Sequence, residues 1–185
     1  MSLTVRSIVA STLVLAVAGC QPHSETAQAR PPCLAGPVTG DSLGALRVGM
    51  TPDSVKAHCP GTRDTVQIFS EGEEQRVLKV PAGTDTIDAE IVDGRVSRIR
   101  VYATRFATDD SIHVGTPVER FRTDTTAQVL MGEGQLFVLV PRHCGLSFGL
   151  THGAFPRRGP FDRSALARVS PTTTVSEILI LGCRR

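Results

Sequence analysis

The sequence predicts an α+β fold made of two short-helix plus antiparallel-sheet units in tandem, stapled by disulfides. Three observations carry this expectation. The segment Leu46-Arg47-Val48-Gly49-Met50-Thr51-Pro52-Asp53-Ser54-Val55 is echoed by Ile112-His113-Val114-Gly115-Thr116-Pro117-Val118-Glu119-Arg120-Phe121, each an apolar-x-Val-Gly entry leading into a helix start. Behind each copy come runs of alternating or β-branched residues separated by turn signals, which read as antiparallel strands. Four cysteines, Cys33, Cys59, Cys144 and Cys183, follow an N-terminal segment with the layout of an export signal, and an even number in an exported chain points to two disulfides.

In the first unit, assigned to residues 41–108, Thr51 is placed to cap a helix whose first position is Pro52, where a missing N–H costs nothing. Cys59-Pro60-Gly61 ends that helix. Strands are expected over 65–70, 76–80, 86–92 and 95–104, with Asp93-Gly94 as a two-residue hairpin turn between the last two. On the last of these, Val96, Arg98, Arg100 and Tyr102 share one face. That face reads as basic and solvent-exposed, so Arg98, Arg100 and Tyr102 are the candidate interface. In the second unit, residues 109–185, Thr116 and Glu119 have the spacing of a capping box. Strands are expected over 127–131, 136–140 and 145–150, with Gly132-Glu133-Gly134 as a loop. A short helix over 162–169 and a final strand over 174–182 follow, the run Ile178-Leu179-Ile180-Leu181 suiting burial on both faces. The cysteines allow three pairings; Cys33 with Cys59 and Cys144 with Cys183 are favoured because each pair lies within one half of the chain.

The apolar run from Ile8 to Val17 has about half of the roughly 20 residues that a spanning helix needs, and Arg6 precedes it, as in a secretory signal peptide. Val17-Ala18-Gly19-Cys20 resembles the bacterial lipobox, in which the signal is cut before the cysteine and that cysteine is acylated. Residues 1–19 are therefore read as a lipoprotein signal peptide and 20–40, rich in Pro, Ala, Gly, Thr and Gln, as a flexible tether. Two or three acyl chains at Cys20 hold a membrane durably, where one alone does not. Gln21 in the following position favours the outer membrane, with the domain facing the periplasm.

The segment Val48-Gly49-Met50-Thr51-Pro52-Asp53-Ser54-Val55 is similar to the entry helix of the SmpA/OmlA (BamE) family of small outer-membrane lipoproteins. The tandem order resembles the arrangement of the β-lactamase inhibitory protein. The resemblance implies short helices set against antiparallel sheet, and a role in assisting β-barrel insertion or in binding an enzyme through the sheet. It transfers no functional residue, because the matching positions do structural work.

Composition narrows the function classes. The formal net charge is +2, and one of those charges, Arg6, leaves with the signal, so no general attraction to nucleic acid or to an anionic surface is expected. With no Trp and one Tyr, stacking platforms for bases or sugars are scarce. No two cysteines stand as Cys-x-x-Cys, so neither a metal nor another cofactor is expected. The histidines His58, His113, His143 and His152 and the serine Ser147 occur singly. The Gly-x-Ser-x-Gly match around Ser147 alternates like a strand and leads into no helix, unlike a nucleophile elbow. Asp109-Asp110 and Glu73-Glu74 read as loop charges, and Arg157-Arg158 as a solvated turn. The expectation is a non-catalytic binding or scaffold protein of the cell envelope, attached to the membrane through Cys20 and bound to an envelope protein. The alternative is an inhibitor or sequestering protein for an exported enzyme.

Overall fold

The computed structural model of the chain describes residues 31–68, 72–151 and 162–183. The leader, Cys20, His152 and Arg157-Arg158 lie outside the described residues. In chain order the elements are a 3-10 turn at Pro32–Leu34, β1 (Ser42–Leu43), β2 (Leu46–Arg47), α1 (Pro52–His58), β3 (Arg63–Ile68), β4 (Glu74–Ala82), β5 (Asp85–Val92) and β6 (Arg95–Val101). They continue with α2 (Glu119–Arg122), β7 (Gln128–Gly132), β8 (Gln135–Leu139), a 3-10 turn at Pro141–His143, β9 (Leu146–Leu150), α3 (Ala165–Arg168) and β10 (Val175–Ile180). The fold is sheet-rich α+β, with few and short helices and two disulfides. Among the described residues no helix is long and apolar enough to cross a membrane.

β1 and β2 pair with each other, and the remaining strands form one sheet in the order β3-β4-β5-β6-β10-β9-β8-β7. All its neighbours are antiparallel. The two meanders meet at β6 and β10, where Ile178 pairs with Val101 and Ile180 with Ile99. A single apolar cluster runs across this seam. It joins Val55 of α1, Phe121 of α2 and Leu166 of α3 to Leu78, Ile87, Ile99, Phe148 and Ile178 of the sheet. Strand alternation explains the selection: every second side chain points to the helix side, and burying it there removes about 25 cal/mol per Å² of apolar surface from water.

The two echoed segments do the same backbone work. The Gly49 N–H donates to the Val96 carbonyl at 2.7 Å, and the Val96 N–H donates to Met50 at 2.8 Å. In the second copy Gly115 donates to Val175 at 2.8 Å and Val175 donates to Thr116 at 2.9 Å. Each segment thus clamps the beginning of the strand that forms the seam, β6 or β10. Both glycines have positive φ, +88° and +96°, which an L side chain seldom adopts.

The helix starts differ from each other. Thr51 caps α1 as its sequence suggests, accepting from the Ser54 N–H at 3.3 Å. The capping box expected at Thr116 and Glu119 does not form. Thr116 is buried and its hydroxyl accepts from the His113 N–H at 2.9 Å, while Pro117 bridges to Thr174 and α2 begins only at Glu119. Pairing with the β10 entry takes up the backbone of residues 115–118 before a helix turn can use it. The expected tether also ends earlier than residue 40. Leu34 and Val38 are buried, and the Gly40 carbonyl accepts from Gly182 at 3.0 Å. The last strand is buried on both faces only through Ile180; Leu181 is exposed.

Cys33 is bonded to Cys59 and Cys144 to Cys183, so each bridge stays within one half of the chain. The first ties the N-terminal turn to the end of α1, and the second pins the end of β10 beside the start of β9. With sequence separations of 26 and 39, loop-closure entropy sets an upper contribution of about 3.5 to 4 kcal/mol each. Replacing either pair by alanine is expected to lower unfolding stability by up to that amount, read as a shifted midpoint in urea. Non-reducing peptide mapping should recover only these two linkages.

Candidate functional site

The face of the sheet turned away from the helices carries Asp88 and Glu90 of β5, Arg98 and Arg100 of β6, Glu177 and Leu179 of β10, and Gln135 and Phe137 of β8. No helix covers it among the described residues, yet its centre is dry. Arg100 is 4% exposed, and Glu90, Glu177, Gln135, Val77, Phe137 and Leu179 are all buried. The expected basic, exposed face is therefore corrected: its central arginine is enclosed, and acids outnumber the arginines around it.

The guanidinium of Arg100 donates to three carboxylates. Its Nε bonds Glu90, its Nη1 bonds Glu177 Oε2 at 3.0 Å, and its Nη2 bonds Glu133. Arg98 braces the same acids, its Nε 2.9 Å from Glu90 Oε2 and its Nη1 on Glu133. Gln135 donates through Nε2 to Glu177 Oε1. Alongside, Lys79 holds Asp88 Oδ2 at 2.7 Å and Gln67 Oε1 at 3.1 Å. Burial alone pushes the Arg100 pKa down, but the bonds to Glu90 and Glu133 outweigh it and hold the pKa above its ordinary value. Tyr102, 47% exposed at the margin, has its hydroxyl pushed up to about 12, first by burial and then by the charge of Glu177.

Local sequence explains how these groups meet. Both fully buried glutamates adjoin β-bulges: the ladder shifts between Glu90 and Ile91, and again between Val175 and Glu177. A bulge adds local twist and re-aims a side chain. Glu133 and Gly134 form the β7–β8 turn with φ of +49° and +74°, as in a type I′ turn, where Asn or Asp is the usual first residue. A glutamate there accepts a disfavoured backbone conformation, and its longer side chain reaches Arg98 and Arg100. In a flat sheet three inter-strand spacings, about 14 Å, separate β8 from β6. The ion pairs of Glu133 with Arg98 and Arg100 span that gap and tie the β7–β8 turn to β6 across this face.

Gly149 makes the crossing possible. It lies on β9 between Glu177 and Phe137 in the paired register. A Cβ there would stand 2.8 Å from Glu177 Cγ and 3.2 Å from both Gln135 Nε2 and Phe137 Cε1. Its φ is not in the left-handed region, so this glycine is required for space. Ser147, two residues earlier, is buried in mid-strand opposite Leu179.

The other candidate residues are dispersed. Nδ1 of His58 is 2.8 Å from the Ser54 carbonyl, and Nδ1 of His113 is 2.7 Å from that of Val114. His143 lies with Asp109 and Asp110 in a group close enough together to offer a cation three ligand atoms. Asp110 Oδ2, however, already receives His143 Nε2 at 3.2 Å, Arg120 at 3.2 Å and Arg142 at 3.3 Å. Burial tends to raise the Asp110 pKa, but the Thr108 bond and the His143 charge hold it below its ordinary value. Two guanidiniums supply the charge that a metal would bring. On the outer β3 strand, Asp64 is pulled down to about 2, chiefly by the bond from Arg76 at 2.7 Å, with burial opposing and Lys56 adding to the pull.

Arg98, Arg100 and Tyr102 share one strand face as their spacing predicts, but Val96, expected with them, is turned to the apolar side opposite Ile91 by the register shift beside Glu90. Glu90, Glu133, Glu177 and Gln135 come from three other places in the chain, and of these only Glu133, in the Gly132-Glu133-Gly134 loop, lay in a segment the sequence marked.

No protein-family profile matches the chain, and no curated protein matches it. Among solved structures, the uncharacterized protein yfeY from Escherichia coli is similar, with a TM-score of 0.55 and 19% identity over 81% of this chain and 100% of that one. At that identity the likeness is one of fold.

Two predictions follow from the network's geometry. Gly149→Ala should destabilise the protein by about 1–3 kcal/mol, the usual result of overpacking, and should broaden or shift the side-chain NMR signals of Gln135. Acid should also loosen the fold in a defined window. Because the Glu133 and Asp64 pKa values are lowered from 4.5 and 3.8, their contribution is complete above those values and is lost as pH falls through the folded ones, toward about 2 for Asp64. Thermal melts between pH 5 and pH 2 should show this fall, and Glu133→Gln should remove part of it.

Proposed function

We propose that this chain is a lipid-anchored lipoprotein of the cell envelope that acts as a non-catalytic binding or scaffold protein. The lipobox-like Val17-Ala18-Gly19-Cys20 supports the anchor, with the domain on the periplasmic side of the outer membrane. The observation that carries the binding reading is the preorganised network face. Its charges are held in fixed positions by mutual bonds, and Tyr102 and the outer edge of Arg98 remain accessible beside them. Such a surface presents a half-buried aromatic among oriented charges with little side-chain entropy left to lose, which is what a protein partner rewards. Arg100 acts from beneath, holding Glu90 and Glu177 in place rather than touching the partner.

The tandem-unit reading belongs to the same proposal. The matched clamps of Gly49 on Val96 and Gly115 on Val175 support two related units fused edge to edge, in the order that resembles the SmpA/OmlA (BamE) family doubled as in the β-lactamase inhibitory protein. An inhibitor of an exported enzyme would use the same face, and that resemblance is what favours it as the second reading.

Two experiments address partner and anchor in turn. In-cell crosslinking of the tagged full chain at native level, followed by mass spectrometry, is expected to recover an envelope protein with wild type and to lose it with Arg98→Glu combined with Tyr102→Ala. Recovery unchanged by that pair would place the interface elsewhere, and recovery of one exported enzyme would favour inhibition. Cys20→Ala is expected to release the protein from the membrane fraction and remove its acyl mass; retention would overturn the anchor.

A further inference from the structure

Among the described residues the eight-stranded sheet is open, with β3 at one edge and β7 at the other. An open edge is a row of unpaired backbone groups that invites another strand, and proteins ordinarily guard it with charge. β3 is guarded in this way. It carries Arg63 and Asp64, and Asp64 is the centre of an ion cluster with Lys56 at 3.1 Å and Arg76 at 2.7 Å. β7, Gln128-Val129-Leu130-Met131-Gly132, has no charged residue and no proline. Its Leu130 and Met131 are 41% and 42% exposed, one on each side of the sheet.

The turn determines which backbone groups of β7 are free. Residues flanking a two-residue turn exchange both hydrogen bonds, and bonded and non-bonded pairs alternate from there. Gly132 pairs with Gln135, Leu130 with Phe137 and Gln128 with Leu139, so these residues turn their N–H and C=O groups toward β8. Val129 and Met131 turn theirs outward. Two outward-facing residues one apart from a central one are what a strand needs to pair with its own copy about a two-fold axis.

We propose that β7 pairs antiparallel with β7 of a second copy of this chain, joining two sheets into one. In the register centred on Leu130, Val129 of one copy exchanges both hydrogen bonds with Met131 of the other, and the reverse pair does the same. Leu130 then faces Leu130 of the second copy in a non-bonded pair, the arrangement in which side chains come closest. Gln128 meets Gly132, and no like charges oppose each other. Shifting the centre by one residue toward the N-terminus enlists Ala127, whose N–H already goes to Asp124 at 3.2 Å. Shifting it the other way brings Glu133, committed to Arg98 and Arg100, into the ladder. The central register is the one the strand itself selects. Because the axis runs through the sheet, the network faces of both copies lie on the same side, doubling that surface.

Sedimentation equilibrium of the full chain, density-matched in detergent, tests this directly. Wild type is expected to be a dimer. Met131→Pro is expected to be a monomer with an unchanged far-UV circular dichroism spectrum, because the N–H it removes faces away from β8. Leu130→Lys, which sets two like charges face to face on the axis, is expected to be a monomer as well and serves if the proline variant does not fold. Leu130→Cys should form a disulfide-linked dimer on mild oxidation, and Val66→Cys on the β3 edge should not. A monomeric wild type, a dimer that persists in both Met131→Pro and Leu130→Lys, or crosslinking through Val66→Cys in place of Leu130→Cys would each overturn the proposal. So would a photo-crosslink from Leu130 that captures a different protein from a monomeric chain.

Discussion

The guanidinium of Arg100, buried among Glu90, Glu133 and Glu177 on the face that no described helix covers, is the interaction that links the two halves of the sheet on that side. A buried arginine is costly unless its charge and its donors are all answered. Answering them requires acids from β5, β10 and the β7–β8 turn, and so from both halves of the chain. One side chain near the seam thus ties acids of the second meander to those of the first. Removing a partner from such a network leaves a buried charge unanswered, which ordinarily costs about 3–5 kcal/mol. The network therefore discriminates among arrangements of the strands as much as it adds to stability.

The apolar and ionic sides of the sheet divide the work. On the helix side, a single cluster of Val, Leu, Ile and Phe across β6 and β10 supplies the hydrophobic stabilisation common to any two-layer domain. On the other side, Val77, Phe137 and Leu179 are buried outside that cluster, beside the ion pairs. Beside them stand the two bulges at Glu90 and Glu177 and the close approach at Gly149, where a Cβ would crowd Glu177, Gln135 and Phe137. The disulfides act at the periphery. They tie the N-terminal segment to α1 and the end of β10 to the start of β9, so that the clamps made by residues 49–50 and 115–116 hold the seam strands in register.

This construction has a bearing on function. A surface whose charges are already bonded to one another presents a fixed pattern in place of mobile lysines and arginines, and the proposed binding role rests on it. His58, His113 and His143 have their ring nitrogens beside main-chain carbonyls or the Asp110 carboxylate, and Ser147 lies within a strand rather than at a turn. The fold shared with yfeY from Escherichia coli shows that this arrangement of strands recurs at 19% identity.

Local pattern was sufficient for whatever is decided by neighbours in sequence. Alternation and the Asp93-Gly94 turn located the strands, Thr51 and Pro52 the first helix, and the position of each cysteine pair within one half the two bridges. Where the same local signal met a competing long-range partner, tertiary structure won. Thr116 and Glu119 had the spacing of a capping box, but the backbone around them was taken by Val175, and the cap was never made. Arg98 and Arg100 had the spacing of an exposed basic face, but the acids that neutralise them stand from 8 to 77 residues away along the chain. By itself the sequence determined the strands and the first helix, because these follow from spacings of a few residues, and it favoured one cysteine pairing out of three. Only the tertiary structure decided that two meanders share one core, that Glu133 reaches over the sheet, and that Arg100 is dry, because each depends on how far the strands twist and curl together.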